Sequence, residues 1–381
     1  MVSGQWSVVS GQWSELEDIT ETRRFAFFFA TDHGLRTTYG PLYGRYQTVS
    51  FEFAWENREN SFGIDGRVAV LQGEGNRLEV WPALGFNAYR WQSASLELLY
   101  RNPNFFTEKL PMRSGFPILF PFPNRIRDGK FTWAGKTYEL PIGDPAKKNA
   151  IHGFAFNCPW RVLGHGANAS GAWITAEFHG SQDAPETLAL WPSDYRLRIT
   201  YRLFDRVLRV EAEVDNPGTQ PLPWGIGYHP YFTVAPFGGP AAVVTAAAAK
   251  YWELRENLPT GQVLDVDYAR ELRHGQFFAN LNLDDLYTNI YDLTYDQEDR
   301  IGMIAVLQHP SGEKMLTLWV SEGFRELIGF TPPHREAICL EPYTCITDAI
   351  NLQQQKVEAG LHVLMPGERW TGVVEMHLAS T

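Results

Sequence analysis

From about Tyr46 onward, apolar and polar residues alternate in short runs broken by turn-forming residues. The clearest run covers residues 195–214. Leu197, Ile199, Tyr201 and Leu203 alternate with Arg196, Arg198, Thr200 and Arg202. Beyond Asp205, Leu208, Val210, Ala212 and Val214 alternate with Arg209, Glu211 and Glu213. A strict period of two puts each apolar set on one face, which predicts a hairpin with one face buried. Residues 131–138 predict a tighter hairpin turning at Gly135, and residues 161–178 a third with its loop between Gly164 and Gly171. Residues 362–364 and 372–378 read as a last strand pair joined through Pro366-Gly367. Helical signals are scarce. The alanine-rich stretch 241–250 suits a short helix, but Val243, Val244 and Thr245 weaken that reading. The 24 prolines and 33 glycines are dispersed as turn punctuation, with no linker-like cluster. The expectation is one large antiparallel β domain over residues 46–381, preceded by an extension of residues 1–45.

That extension carries Val2-Ser3-Gly4-Gln5-Trp6-Ser7 twice, the second copy starting at Val9. Two copies are too few for a repeat architecture that buries its own core. Arg23-Arg24 precede an apolar run of residues 25–30, shorter than a secretory signal requires and closed by Asp32.

Composition narrows the function classes. The chain has 381 residues, 44% of them hydrophobic and only 20% charged, with 24 Phe, 13 Trp and 16 Tyr. Such a chain buries a real core and is too aromatic to be disordered. A formal charge of −11 argues against wrapping nucleic acid. No apolar run approaches a membrane span. Three cysteines, Cys158, Cys339 and Cys345, suit free thiols in a reducing compartment better than a disulfide framework. The expectation is a soluble, cytoplasmic protein, a monomer or homodimer, with neither nucleic-acid nor membrane partners.

Several motifs are excluded by their context. Residues 164–169 satisfy a dinucleotide fingerprint with alanine last, but a strand-like run follows where a helix would have to begin. The ten histidines are scattered, Cys339 and Cys345 lack a partner pair, and no metal site stands out. A nucleophile elbow is also missing. The remaining chemistry lies in short polar words set among prolines, glycines and aromatics. Asn124-Arg125 ends a proline-stiffened segment and is either a surface turn or a rigid hydroxyl clamp. His152 sits in Asn149-Ala150-Ile151-His152-Gly153. His229, fixed between Tyr228 and Pro230, is either a satisfied core histidine or a proton-transfer group. Glu341 ends an apolar run; it is either an edge glutamate or a buried base of raised pKa. Asp284-Asp285 reads alternatively as an exposed acidic turn.

Taken in order, Asn124-Arg125-Ile126-Arg127-Asp128-Gly129-Lys130-Phe131, Asn149 to Gly153, Gly227-Tyr228-His229-Pro230-Tyr231-Phe232 and Glu341 resemble the aldose 1-epimerases, or galactose mutarotases, over residues 66–381. The resemblance implies an all-β supersandwich of large twisted antiparallel sheets and interconversion of the α and β anomers of a free aldose. It implies His229 as general acid at the ring oxygen and Glu341 as general base at the C1 hydroxyl. Arg125 and His152 fall on sugar-binding positions, with Asn124 beside them. Asp284 falls on a hydroxyl-binding aspartate. The family commonly has histidine at the next position, where this chain has Asp285, so the choice between Asp284 and Asp285 stays open, as does the sugar.

Hemiacetal opening needs one proton removed and one delivered, which an imidazolium and a carboxylate on opposite sides of the ring can do without metal or cofactor. Trp81, Trp224, Tyr231 and Tyr343 are candidates to stack on the sugar. Three alternatives share the residues. A hexose 6-phosphate or acidic-sugar epimerase would draw on Arg125, Arg127, Lys147 and Lys148. A carbohydrate-binding protein would need no acid and base. A glycosidase would require Asp284 and Glu341 to face each other across the cleft.

Overall fold

The computed structural model describes residues 50–109 and 112–380. The duplicated segments, Arg23-Arg24 and the rest of the 1–45 extension lie outside the described residues. Strand accounts for 49% of the structure and helix for 9%, so the all-β expectation holds. Three large antiparallel sheets carry the fold. The first runs in chain order through Glu52–Asn57, Arg67–Gly73, Asn76–Trp81, Asn87–Ser93 and Leu96–Glu97. In the ten-stranded sheet, Arg161–Asn168, Gly171–His179, Arg196–Phe204 and Val207–Asp215 lie side by side. The C-terminal strand Arg369–Ser380 then joins them to Lys314–Ser321, Ile301–Gln308 and Val243–Ala246. The eight-stranded sheet is ordered Leu258–Asp265, Ala248–Arg255, Asp284–Ile290, Glu326–Phe330, Ala337–Tyr343, Gly227–Tyr228 and Ile118–Leu119, with the eighth strand, Tyr231–Thr233, also paired to Ala337–Tyr343.

The hairpin read from residues 195–214 forms with Leu197 opposite Val214, Ile199 opposite Ala212 and Tyr201 opposite Val210. Its apolar face is wholly buried, each large side chain contributing about 1.5–3 kcal/mol. Arginines and glutamates of the other face pair across strands, Arg198 with Glu177 at 2.8 Å and Arg202 with Glu211 at 3.0 Å. One apolar core joins all three sheets: Leu71, Val80 and Trp91 from the first, Ile174, Ile199 and Val210 from the second, Leu327, Ile338 and Leu340 from the third.

Three local expectations are corrected. Residues 241–250 begin at the end of a 3-10 turn, Gly239–Ala241, and then form strands Val243–Ala246 and Ala248–Arg255, as Val243, Val244 and Thr245 favour. The loop placed at residues 164–171 is mostly strand, because Gly164 and Gly166 lie under the Trp173 ring and only Ala169-Ser170 turn. Strand His362–Leu364 pairs with Leu222–Trp224 and not with the C-terminal strand, which the ten-stranded sheet claims. The hairpin of residues 131–138 forms as expected, with Ala134 and Gly135 both at positive φ.

Candidate active site

The strand Ala337–Tyr343 organises the site. It is buried along its whole length, so the edge-glutamate reading of Glu341 fails. By alternation, Ile338 and Leu340 enter the core, while Cys339, Glu341 and Tyr343 share the opposite face. Two short strands lie along it: Gly227 pairs with Tyr343, and Tyr231 pairs with Cys339. The register therefore sets His229 opposite Glu341, and opposed residues of antiparallel strands project to the same side. Pro230 interrupts the ladder there, and the His229 backbone N–H donates instead to the Pro117 carbonyl at 3.0 Å. The result is a His229 Nε2 to Glu341 Oε1 separation of 3.3 Å.

Both groups are buried, His229 at 7% and Glu341 at 2% exposure. Burial pushes the imidazole down to about 3 and raises the carboxyl well above its usual range, so each is driven toward its uncharged form. Tyr343 donates to Glu341 Oε2 at 2.7 Å and so fixes the carboxyl plane, leaving Oε1 toward the histidine. The Tyr231 ring stacks on His229 at 4.6 Å and 9°, and Phe330 meets it edge-on.

A second wall comes from two crossing loops. Arg125 pairs with Ile151 in a two-residue ladder, and His152 donates its backbone N–H to the Asn124 carbonyl at 2.7 Å. Asn124 and His152 are both in the left-handed region, at φ 53° and 65°, which asparagine and histidine adopt more readily than most other residues bearing a Cβ. The next residue must be glycine, since a Cβ on Gly153 would lie 2.2 Å from the Phe120 carbonyl oxygen. Arg125 is oriented by Asn124 Oδ1 at 3.0 Å and Asp144 at 3.5 Å. Burial pushes the Asp144 carboxyl up, but hydrogen bonds from Asn149 and Lys148 and the charge of Arg125 hold it below its ordinary value. His152 itself is pushed well down by burial.

These walls enclose a cleft of about 810 Å³ lined by Asn124, Arg125, His152, His229, Asp284 and Glu341, so all six residues singled out from the sequence converge. The strand Asp284–Ile290 decides between the two aspartates. Asp284 opens into the cleft, while Asp285 points away and binds Arg270 at 2.7 Å. Asp284 is solvent-accessible through the cleft yet walled by protein, and this enclosure raises its pKa against the pull of Arg125. Asp284 and Glu341 stand two strands apart on one sheet face, so they do not face each other across the cleft.

Other expectations change. His229 and Glu341 are neighbours on one wall, not groups on opposite sides of a ring. Trp81 and Trp224 are fully buried in the core and far from stacking roles, whereas Tyr231 and Tyr343 do line the cleft. Arg127 pairs with Asp348 and Lys148 with Glu256; neither they nor Lys147 line the cleft. Sequence reasoning missed Arg113, Phe330 and His334 as lining residues, because each comes from a loop or strand end without a recognisable word. It named Tyr343 only as a stacking ring. Its spacing two residues beyond Glu341 on one strand was the available signal for a hydrogen bond.

The layered antiparallel sheets with a polar cleft on one sheet define a galactose mutarotase-like fold. A solved galactose mutarotase-like protein from Clostridium acetobutylicum superposes with a TM-score of 0.77 at 23% identity, over 87% of this chain and 99% of that one. Residues 90–377 match the aldose 1-epimerase family, and the chain belongs to it. Among curated relatives, the uncharacterised protein YihR of Escherichia coli K12 is 25% identical over 64% of this chain and 74% of its own length. Galactose mutarotase of Rattus norvegicus is 32% identical over 38% of this chain and 40% of its own length. No helix among the described residues is long and apolar enough to cross a membrane.

Proposed function

We propose that the protein is an isomerase that interconverts the α and β anomers of a free aldose, a hexose such as glucose or galactose, by acid–base opening and closure of the ring. The observation that carries this reading is the 3.3 Å His229–Glu341 pair on the cleft wall. In a cyclic aldose the C1 hydroxyl and the ring oxygen are both bonded to C1. Two proton-transfer groups that must serve them together therefore belong side by side. The resting pair is uncharged, and passing the Glu341 proton across the 3.3 Å contact gives a carboxylate beside an imidazolium. In that form Glu341 takes the C1 hydroxyl proton while His229 delivers one to the ring oxygen, the C1–O5 bond breaks and the C1 carbonyl forms. Rotation about C1–C2 presents the other carbonyl face, and the same two groups close the ring with roles exchanged. Tyr343 keeps Glu341 oriented throughout. Arg125, Asn124, His152 and Asp284 hold the remaining hydroxyls, which fixes the reacting atoms against the pair.

A second reading, an epimerase of a phosphorylated or otherwise acidic aldose, has one observation in its favour. Arg113 lines the cleft and has no carboxylate partner among the described residues. The three free cysteines support a reducing, cytoplasmic setting.

The test is the rate of anomer equilibration of fresh α-glucose, α-galactose and α-glucose 6-phosphate, followed by polarimetry. Wild type is expected to accelerate at least one sugar above its spontaneous rate, and the fastest sugar chooses between the two readings. Binding of all three without acceleration would leave a carbohydrate-binding protein in place of an enzyme.

A further inference from the structure

The fold brings a third reactive side chain to the acid–base pair. Cys339 lies on the same strand face as Glu341, two residues away, and its backbone pairs with Tyr231, whose ring covers His229. A nitrogen of His229, the Cys339 sulfur and a Glu341 oxygen all lie within 4.8 Å of one another, and all three residues are buried. Cys339 is a free thiol. Nothing in hemiacetal opening uses a sulfur, and an alanine or valine would fill a buried strand position equally well.

One nitrogen, one sulfur and one oxygen donor suit a borderline or soft divalent cation and not Mg²⁺ or Ca²⁺, which favour all-oxygen shells. Bonds of roughly 2.0–2.3 Å to Zn²⁺ place tetrahedral ligands about 3.5 Å apart. The His229–Glu341 separation already meets this at 3.3 Å, and the thiol has a small distance to close. His229 and Glu341 line the cleft while Cys339 sits behind them, so an ion entering from the cleft meets the pair first, and a cleft water completes the shell. Binding a cation releases the thiol proton to solvent and occupies the lone pairs that proton transfer needs.

We propose that His229, Cys339 and Glu341 form a binding site for a thiophilic divalent cation of the Zn²⁺/Cd²⁺ class, and that occupation disables the acid–base pair. The loss of activity rests on the epimerase reading; the binding does not, and it is read without sugar. The full chain is stripped with a chelator and titrated with Cd²⁺, following the ultraviolet sulfur-to-metal charge-transfer band, with Zn²⁺ affinity measured by calorimetry. One equivalent is expected to give the band in wild type and in Cys158→Ser and Cys345→Ser. Cys339→Ser is expected to lose it, and His229→Asn, which keeps the thiol, to weaken Zn²⁺ binding by more than about tenfold. Should Cys339→Ser not fold, Co²⁺ bound to wild type must show a tetrahedral spectrum with a single thiolate and one nitrogen ligand. No band in wild type, a band lost in Cys345→Ser or Cys158→Ser instead, or Zn²⁺ affinity unchanged in His229→Asn would overturn the proposal. If metal binds as described and no sugar is epimerised, the site stands and the enzyme reading fails.

Discussion

Glu79 and Glu341 are almost equally buried, at 1% and 2% exposure, and each accepts a hydrogen bond from a tyrosine. Their protonation nevertheless runs in opposite directions. Around Glu79 stand Arg58 at 2.8 Å, Arg77 at 2.9 Å and Arg90 at 3.0 Å. Burial pushes its carboxyl up, but the Tyr89 hydroxyl and these guanidinium groups outweigh burial and hold it at about 2. Among the described residues no arginine is in hydrogen-bonding contact with Glu341; its cationic neighbour, Arg125, acts only at longer range and is itself engaged by Asn124 and Asp144. The comparison shows what distinguishes a structural carboxylate from a chemical one at equal depth. Permanent cations fix a charge, whereas a titratable partner leaves a proton free to move.

The largest expected effect comes from Glu341→Gln, which removes the base while keeping the shape. The rate of anomer conversion should fall by about 10²–10⁴-fold, whereas the urea midpoint should hold or rise, since a buried carboxyl is gone. The same substitution at Glu79 should invert the pattern, costing about 2–3 kcal/mol in urea unfolding, because Arg58, Arg77 and Arg90 lose their shared buried partner and keep only the more exposed Glu56 and Glu97. If Glu79→Gln proved neutral to stability, the contrast between the two glutamates would collapse.

Two carboxyl titrations, of Glu79 and of Glu326, sharpen it. Glu79 has a depressed folded pKa, so its contribution is present above the unfolded value of 4.5 and is lost as pH falls toward about 2. Glu326 is fully buried, with burial raising it to about 7 against the pull of Arg325, Thr288 and Trp252. Here the folded state binds the proton more tightly, so stability is full below 4.5 and declines as pH rises through about 7. Glu326→Gln should therefore stabilise the protein at pH 8 by about 2–3 kcal/mol and do nothing near pH 4. Chemical unfolding across pH reads both slopes, which must have opposite signs. The smallest effect is expected from Tyr343→Phe, which frees the Glu341 carboxyl to rotate. It should lower turnover about tenfold and leave sugar affinity near wild type.

Much of this was legible in the sequence, for reasons that differ by region. The hairpin of residues 195–214 is read correctly because one face meets the core and the other meets water, so every second residue reports its environment. The strand Ala337–Tyr343 is buried on both faces, its alternation is erased, and Glu341 could be read only as the end of an apolar run. His362–Leu364 was assigned to its sequence neighbour because pairing across more than 130 residues leaves no local trace. Asn124, Arg125, His152 and His229 are reachable from motif words because each sits in a tight turn or short ladder with strong local constraints; Glu341 and Asp284 lie on seven-residue strands and are reached through the order of the words that carries the resemblance. The adjacency of His229 and Glu341 was not, because it depends on a register set by Gly227–Tyr343 and Tyr231–Cys339 pairing. Asp284 and Asp285 were separated only once the strand had a known face.

The account stands most directly on His229 and Glu341 working as one proton-handling unit. Anomer exchange of the preferred sugar, measured by NMR for wild type, His229→Asn, Glu341→Gln and the double variant, tests this. Each single change should remove nearly all of the enzymatic acceleration, and the double variant should be no slower than the slower single one. Independent, multiplying losses, or a single variant close to wild type, would contradict the pair as the seat of catalysis.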